Sequence, residues 1–508
     1  MPRLSRRLVS VAIACCLLGG CKDEGSGGDG DDQDAAVVTD GSTGGADTET
    51  PTDVSSDTGL QPDAPPASDV DHDTLATDTA QNRGDTMAPR DMSAGNCALP
   101  PPFDKGATYS KEIHVDPSAG SGGNGSKGSP YQSIATGLQQ ATAGTKVILH
   151  SGKHSPDTYV GSLKGTMNAP IKVVGRSGAT IEGGSTGLQI SEAEYVVLED
   201  LTIDGPSQNG LNMDDGGSYN TPAEFIVLRN VTVRNVGTGG NEDCIKLSGV
   251  DKFWVTGSDV SKCSGQGIDM VGCHAGQITS NHLHDKPGTG IQAKGGSANI
   301  LINGNKFTGV TGRAINAGGS TGLQYFRPKN APHEAKNIEA FGNIFVDVGA
   351  ESGAPIAYVG CDACSFYNNT IIRPKTWIAR ILQETTGSRF IQSRNGLFAN
   401  NIVYFRTSDI RTWVNVGPNT KPNSFRFTNN LWYATDDSSF SGPNFRNVPQ
   451  GQNQIIQKDP SFADPGNGDY HLSSGSPAVG VGKAMGMVPD YEEKCYGSPP
   501  AVGAFAAP

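Results

Sequence analysis

The chain has 508 residues, a formal net charge of −13, 68 glycines and 18% charged residues. The length would allow two or three ordinary domains. No basic stripe of the kind that grips phosphate backbones is present, so nucleic-acid binding is excluded from the working readings.

In chain order, residues 1–20 read as an export signal. Arg3, Arg6 and Arg7 precede the apolar run Leu8 to Leu18, too short for a permanent membrane span. The run ends Leu18-Gly19-Gly20-Cys21, which resembles the bacterial lipobox. That resemblance implies that Cys21 becomes a lipidated N-terminus and anchors the protein to the envelope. A lysine rather than an aspartate after Cys21 points to the outer membrane or cell surface. Residues 21–96 read as a disordered tether: 18 acidic residues from position 22 onward face only Lys22, Arg83 and Arg90. The signal contributes +3 and this stretch −15, so the total of −13 leaves −1 for residues 97–508. The acidic balance therefore says nothing about what the folded domain binds.

Residues 97–508 contain seven cysteines, which cannot all pair within one chain. Cys361-Asp-Ala-Cys364 lacks the second CxxC of a zinc site, so buried thiols or a local disulfide are expected there.

The segments Gly210-Leu-Asn-Met-Asp214, Cys244-Ile-Lys-Leu-Ser248, Gly267-Ile-Asp-Met-Val271, Gly290-Ile-Gln-Ala-Lys294 and Ala314-Ile-Asn-Ala-Gly318 superpose on Leu211, Ile245, Ile268, Ile291 and Ile315. Their spacings are 34, 23, 23 and 24, followed by Ile356 and Ile381 at 41 and 25, with an inserted loop around 320–333. A second series, Asn230, Ser258, Asn281, Asn305, Asn343, Asn369, Asn401 and Asn430, reads as an asparagine ladder at a turn. Short strands, one coil about every 23 residues and polar ladders predict an all-β, single-stranded right-handed parallel β-helix of roughly ten to twelve coils. A β-sandwich would show hairpin turns without this register.

His114-Val-Asp-Pro…Gly128-Ser-Pro-Tyr-Gln-Ser-Ile-Ala135 resembles the opening of bacterial pectate-lyase-fold proteins, and Lys458-Asp-Pro-Ser-Phe-Ala-Asp…Gly468-Asp-Tyr-His-Leu resembles their closing segment. The likeness covers residues 110–505 and implies the fold, not an activity.

Alternation along each repeat strand places Asn212, Lys246, Asp269, Gln292 and Asn316 in one outward column and Asp214, Ser248, Val271, Lys294 and Gly318 in a second. Such a face suits a carbohydrate or uronate chain. Lys294 with Arg313 19 residues on is similar to the lysine and arginine of the chondroitinase B and alginate lyase group. That likeness implies β-elimination with Lys294 as base, although Arg313 falls short of the column. It also implies calcium, for which Asp214, Glu242 and Asp243 are the candidate ligands. Asp269 and His274 are further candidate catalytic residues. Lys246, Gln292, Asn316, Arg380 and Glu384, with Tyr325 and Arg327 on the inserted loop, are candidate substrate contacts.

Three readings follow: a lyase acting on an extracellular anionic polysaccharide, a glycoside hydrolase using Asp243 and Asp269, and a non-catalytic glycan-binding or adhesion protein. A monomer is expected in each. An enzyme would gather Asp269, His274, Lys294 and Arg313 into one concave patch.

Overall fold

The computed structural model describes residues 97–508 apart from 219–220, 286 and 351–352. The export signal, Cys21 and the acidic segment lie outside the described residues.

Short β-rich segments that cannot bury both faces alone solve the problem by stacking. The chain coils through three sheets of 13, 10 and 12 strands, every ladder in them parallel. One coil shows the plan. Gln266–Val271, Gln277–Thr279 and His282–His284 each enter a different sheet, and Thr289–Lys294 then returns beside Gln266–Val271. Its corners are turned by Ala275, Ser280 and Asp285, each held near φ +56° in the left-handed region. That conformation costs energy outside glycine and is retained because the stacked neighbours over-determine it.

The predicted inward column is present: Ile245, Ile268, Ile291, Ile315 and Ile356 pair in register and are at most 1% exposed. Each contributes about 1.5–3 kcal/mol of burial. Ile356, however, pairs with Ala379, and the expected Ile381 stacks on Tyr358 two positions further. Both positions face inward, so period-two alternation cannot tell them apart.

The ladder is continuous from Ser258 through Asn281, Asn305, Asn343, Asn369 and Asn401 to Asn430, each residue's backbone N–H donating to the next side-chain oxygen at 2.8–3.0 Å. Asn230 is not a member. It occupies the left-handed corner at φ 52°, and Val231 donates to Ser258 instead, so the series starts one residue out of register.

A short helix, Ile134–Gln139, capped by Ser133, packs Ile134 and Leu138 into the core beside the first coils. Cys97 is joined to Cys495, which ties the two ends of the described chain; Asp104 near its start is bound by Arg229. Cys244 pairs with Cys263 and Cys361 with Cys364, leaving Cys273 as the buried free thiol among the described residues. Gly318, φ 109°, opens the inserted loop: a Cβ there would run into the Val359 carbonyl.

Candidate functional site

The ten-stranded sheet carries the candidate residues. Asn212, Lys246, Asp269, Gln292 and Asn316 pair in sequence across five stacked strands, as the outward column requires. The column continues through Ala357 and Arg380 to Asn415. An outward-facing column was expected to be open to solvent. Instead Asp269, Gln292 and Asn316 are buried. The inserted loop accounts for part of this cover, because Gly319 passes so close that a Cβ there would meet the Gln292 amide and the Lys294 stem.

What remains accessible is a set of charged side chains lying over buried carboxylates. The Lys246 amine is 2.9 Å from Asp243 and 3.5 Å from Asp269, and Lys294 is 3.6 Å from the other Asp269 oxygen. Both aspartate side chains are fully buried, while Lys246 and Lys294 keep 23% and 13% of theirs exposed. Burial, and then the charge on Asp269, push the Asp243 carboxyl up to about 6. Lys246 is also shifted upward: burial opposes its charge, but Asp269 and Asp243 together hold the ammonium well above its ordinary range. Lys246 is therefore a fixed cation and not a base. Three acceptor oxygens around it, on Asn212, Gln266 and Asp269, have no hydrogen-bond donor in the structure.

Arg313 lies at the start of the neighbouring strand, 2.7 Å from Glu384 and 3.4 Å from the Asn316 amide oxygen. Arg380 stacks on Trp377 at 4.2 Å and donates to Asn415 at 3.0 Å.

His274 is not part of this set. It follows the Gly272 turn into the neighbouring sheet, where it contacts Asp251 at 2.9 Å and the Gly296 carbonyl at 3.2 Å. Arg327 clamps the same Asp251 through two 2.6 Å contacts and is itself buried, so it pins the inserted loop and cannot wall a sugar site. Phe326 beside it is also buried; Tyr325, 51% exposed, is the loop aromatic left open to solvent. The expected single patch of Asp269, His274, Lys294 and Arg313 is thus divided. Asp269 and Lys294 stay together, and His274 serves the loop anchor.

The candidate calcium ligands do not form one donor set. Asp214 accepts from Gln189 and the Gly216 N–H, Glu242 from Ser264, and Asp243 already has a cation in Lys246. Glu334, absent from the sequence expectations, holds the loop from beneath by accepting from Gly295, Thr321 and Thr385. Its position directly after the insertion was the available signal. Two surface hollows, one around Asn419, Asn423 and Arg446 and one around Phe390 and Gln392, contain none of the candidate residues.

Residues 171–327 match the family model described as a right-handed β-helix region. No curated protein matches the chain. Among solved structures, pectate lyase Pel9A is similar at 14% identity over 79% of this chain and 98% of its own, with a TM-score of 0.45. The lacto-N-biosidase of Eubacterium ramulus is similar at 13% over 68% of each chain, TM-score 0.47, and a rhamnogalacturonan lyase at 12% over 66% and 90%, TM-score 0.44. At such values the chemistry of those proteins remains their own. The folded part of this chain is a right-handed parallel β-helix.

Proposed function

We propose that the protein is exported, anchored through a lipid on Cys21 at the outer membrane or cell surface, and acts there on an anionic polysaccharide by β-elimination. The observation that carries the reading is the pair Lys246 and Lys294, which flank the buried Asp269 on one sheet, with Arg313 on the strand beyond Lys294. A uronate carboxylate would be met by Lys246, whose ammonium is held charged by Asp243 and Asp269. Neutralising that carboxylate acidifies the proton on the adjacent carbon. The Lys294 amine takes this proton, the C–H electrons form the new C=C bond, and the C–O bond to the leaving sugar breaks. The proton held on Lys294 is then returned to the leaving oxygen. No step passes through calcium.

The hydrolase reading has less support. Asp243 and Asp269 both hold the Lys246 amine, and with side chains fully buried neither is exposed for attack on an anomeric carbon.

The test is to incubate the purified full chain with alginate, pectate and chondroitin and follow absorbance from new unsaturated ends. Absorbance that grows with wild type and is abolished in Lys294→Ala of unchanged circular dichroism supports the reading. Wild-type silence on all uronate glycans, or activity retained by Lys294→Ala, removes it.

A further inference from the structure

The twelve-stranded sheet, on another side of the coil, holds a side-chain cluster unrelated to the lysine set. Asp259 on Asp259–Cys263 pairs in register with His282 on His282–His284, and His284, two residues on, projects from the same side. One nitrogen from each histidine and one Asp259 oxygen lie within 4.8 Å of one another. The His284 Nε2 is 3.1 Å and the His282 Nδ1 3.8 Å from the same Asp259 oxygen, and the rings stack at 4.3 Å.

The second observation concerns the nitrogens that face away. His284 Nδ1 is 3.3 Å from the Asp285 carboxylate, and His282 Nε2 is 3.3 Å from the Thr308 hydroxyl. Each ring thus has an oxygen partner on its outer nitrogen, while its inner nitrogen faces Asp259. Outer partners of this kind, a carboxylate among them, orient histidines that ligate metals. All three inner groups remain accessible, with side chains 45%, 41% and 22% exposed for Asp259, His282 and His284.

We propose that Asp259, His282 and His284 bind one divalent transition-metal ion of the zinc class, oriented by Asp285 and Thr308, and that the ion staples two successive coils. Two imidazoles and a carboxylate select zinc over calcium, which prefers an all-oxygen set. One or more positions remain for water. Lys306, in register with His282, bounds the site on its far side. The role is structural by construction: the ligands come from adjacent coils and no candidate catalytic residue is among them.

Isothermal titration of the metal-stripped full chain with Zn²⁺ should give one equivalent bound, lost in His284→Ala and weakened about 10- to 100-fold in Asp285→Asn, which touches no ion. Zn²⁺ should raise the melting temperature of wild type, and Ca²⁺ should not. His471→Ala, a surface histidine elsewhere, should bind as wild type does. Absence of Zn²⁺ binding, or wild-type binding retained by His282→Ala or His284→Ala, overturns the proposal. If an alanine variant fails to fold, Asp285→Asn and Asp259→Asn carry the test, and unchanged affinity in both also overturns it.

Discussion

Removing one rung of the asparagine ladder should cost far more than removing an asparagine of the surface. The Asn343 amide oxygen accepts from the Asn305 backbone N–H at 2.9 Å and the Asn305 side chain at 3.0 Å. Its amide nitrogen reaches the carbonyls of Ile302 and Phe341 and the oxygen of Asn369 at 2.9–3.0 Å. Asn343→Ala leaves the Asn305 N–H buried without an acceptor. Such an orphan costs roughly 1–3 kcal/mol, and the remaining bonds add about 1 kcal/mol net, for a total of about 2–4 kcal/mol. Asn423→Ala, at an exposed position outside the left-handed region, should stay within about 0.5 kcal/mol. Urea denaturation gives the difference, and amide exchange localises it, with accelerated exchange expected in the peptide around Asn305. A loss under about 1 kcal/mol in Asn343→Ala, or unchanged exchange at Asn305, would refute the account of the ladder as an obligatory hydrogen-bond chain.

Other expectations follow from the same geometry. Asp251→Asn strips the buried Arg327 of its counter-charge and should destabilise by about 3–5 kcal/mol, with new proteolytic cleavage in residues 318–333. The Asp243 carboxyl holds its proton more tightly folded than unfolded. Its contribution is therefore full below about pH 4 and declines as pH rises through about 6, and Asp243→Asn should flatten this part of a stability–pH profile. Opening Cys97–Cys495, which closes a separation of 398 residues, should cost about 4–6 kcal/mol by chain entropy and expose residues 97–109 to protease.

The solenoid was legible because its signal is repetitive: a 23-residue spacing of isoleucines and a run of asparagines each report the same coil. Local errors arose where the repeat is degenerate. Asn230 was drawn in because asparagine suits both the ladder and the left-handed corner beside it, and Ile381 because two inward positions of one strand look alike. The outward column, read from alternation, holds in the register of Lys246, Asp269, Gln292 and Asn316. Its burial was not legible, since that depends on the path of the inserted loop after Gly318. For the same reason Arg327 looked like a ligand contact and is an anchor, and His274, five residues after Asp269, turns a corner into another sheet. The pairing of Lys246 with both Asp243 and Asp269 joins residues up to 23 positions apart, and only the coil length brings them together.

The account's central claim is elimination at the lysine cluster, and its most direct test is digestion of a defined uronate oligosaccharide in ¹⁸O-labelled water followed by mass spectrometry. Products one water lighter than hydrolytic fragments and free of label are expected. Labelled fragments would mean hydrolysis, and an intact oligosaccharide that still binds would mean a protein that holds glycan without cleaving it; either result contradicts the claim.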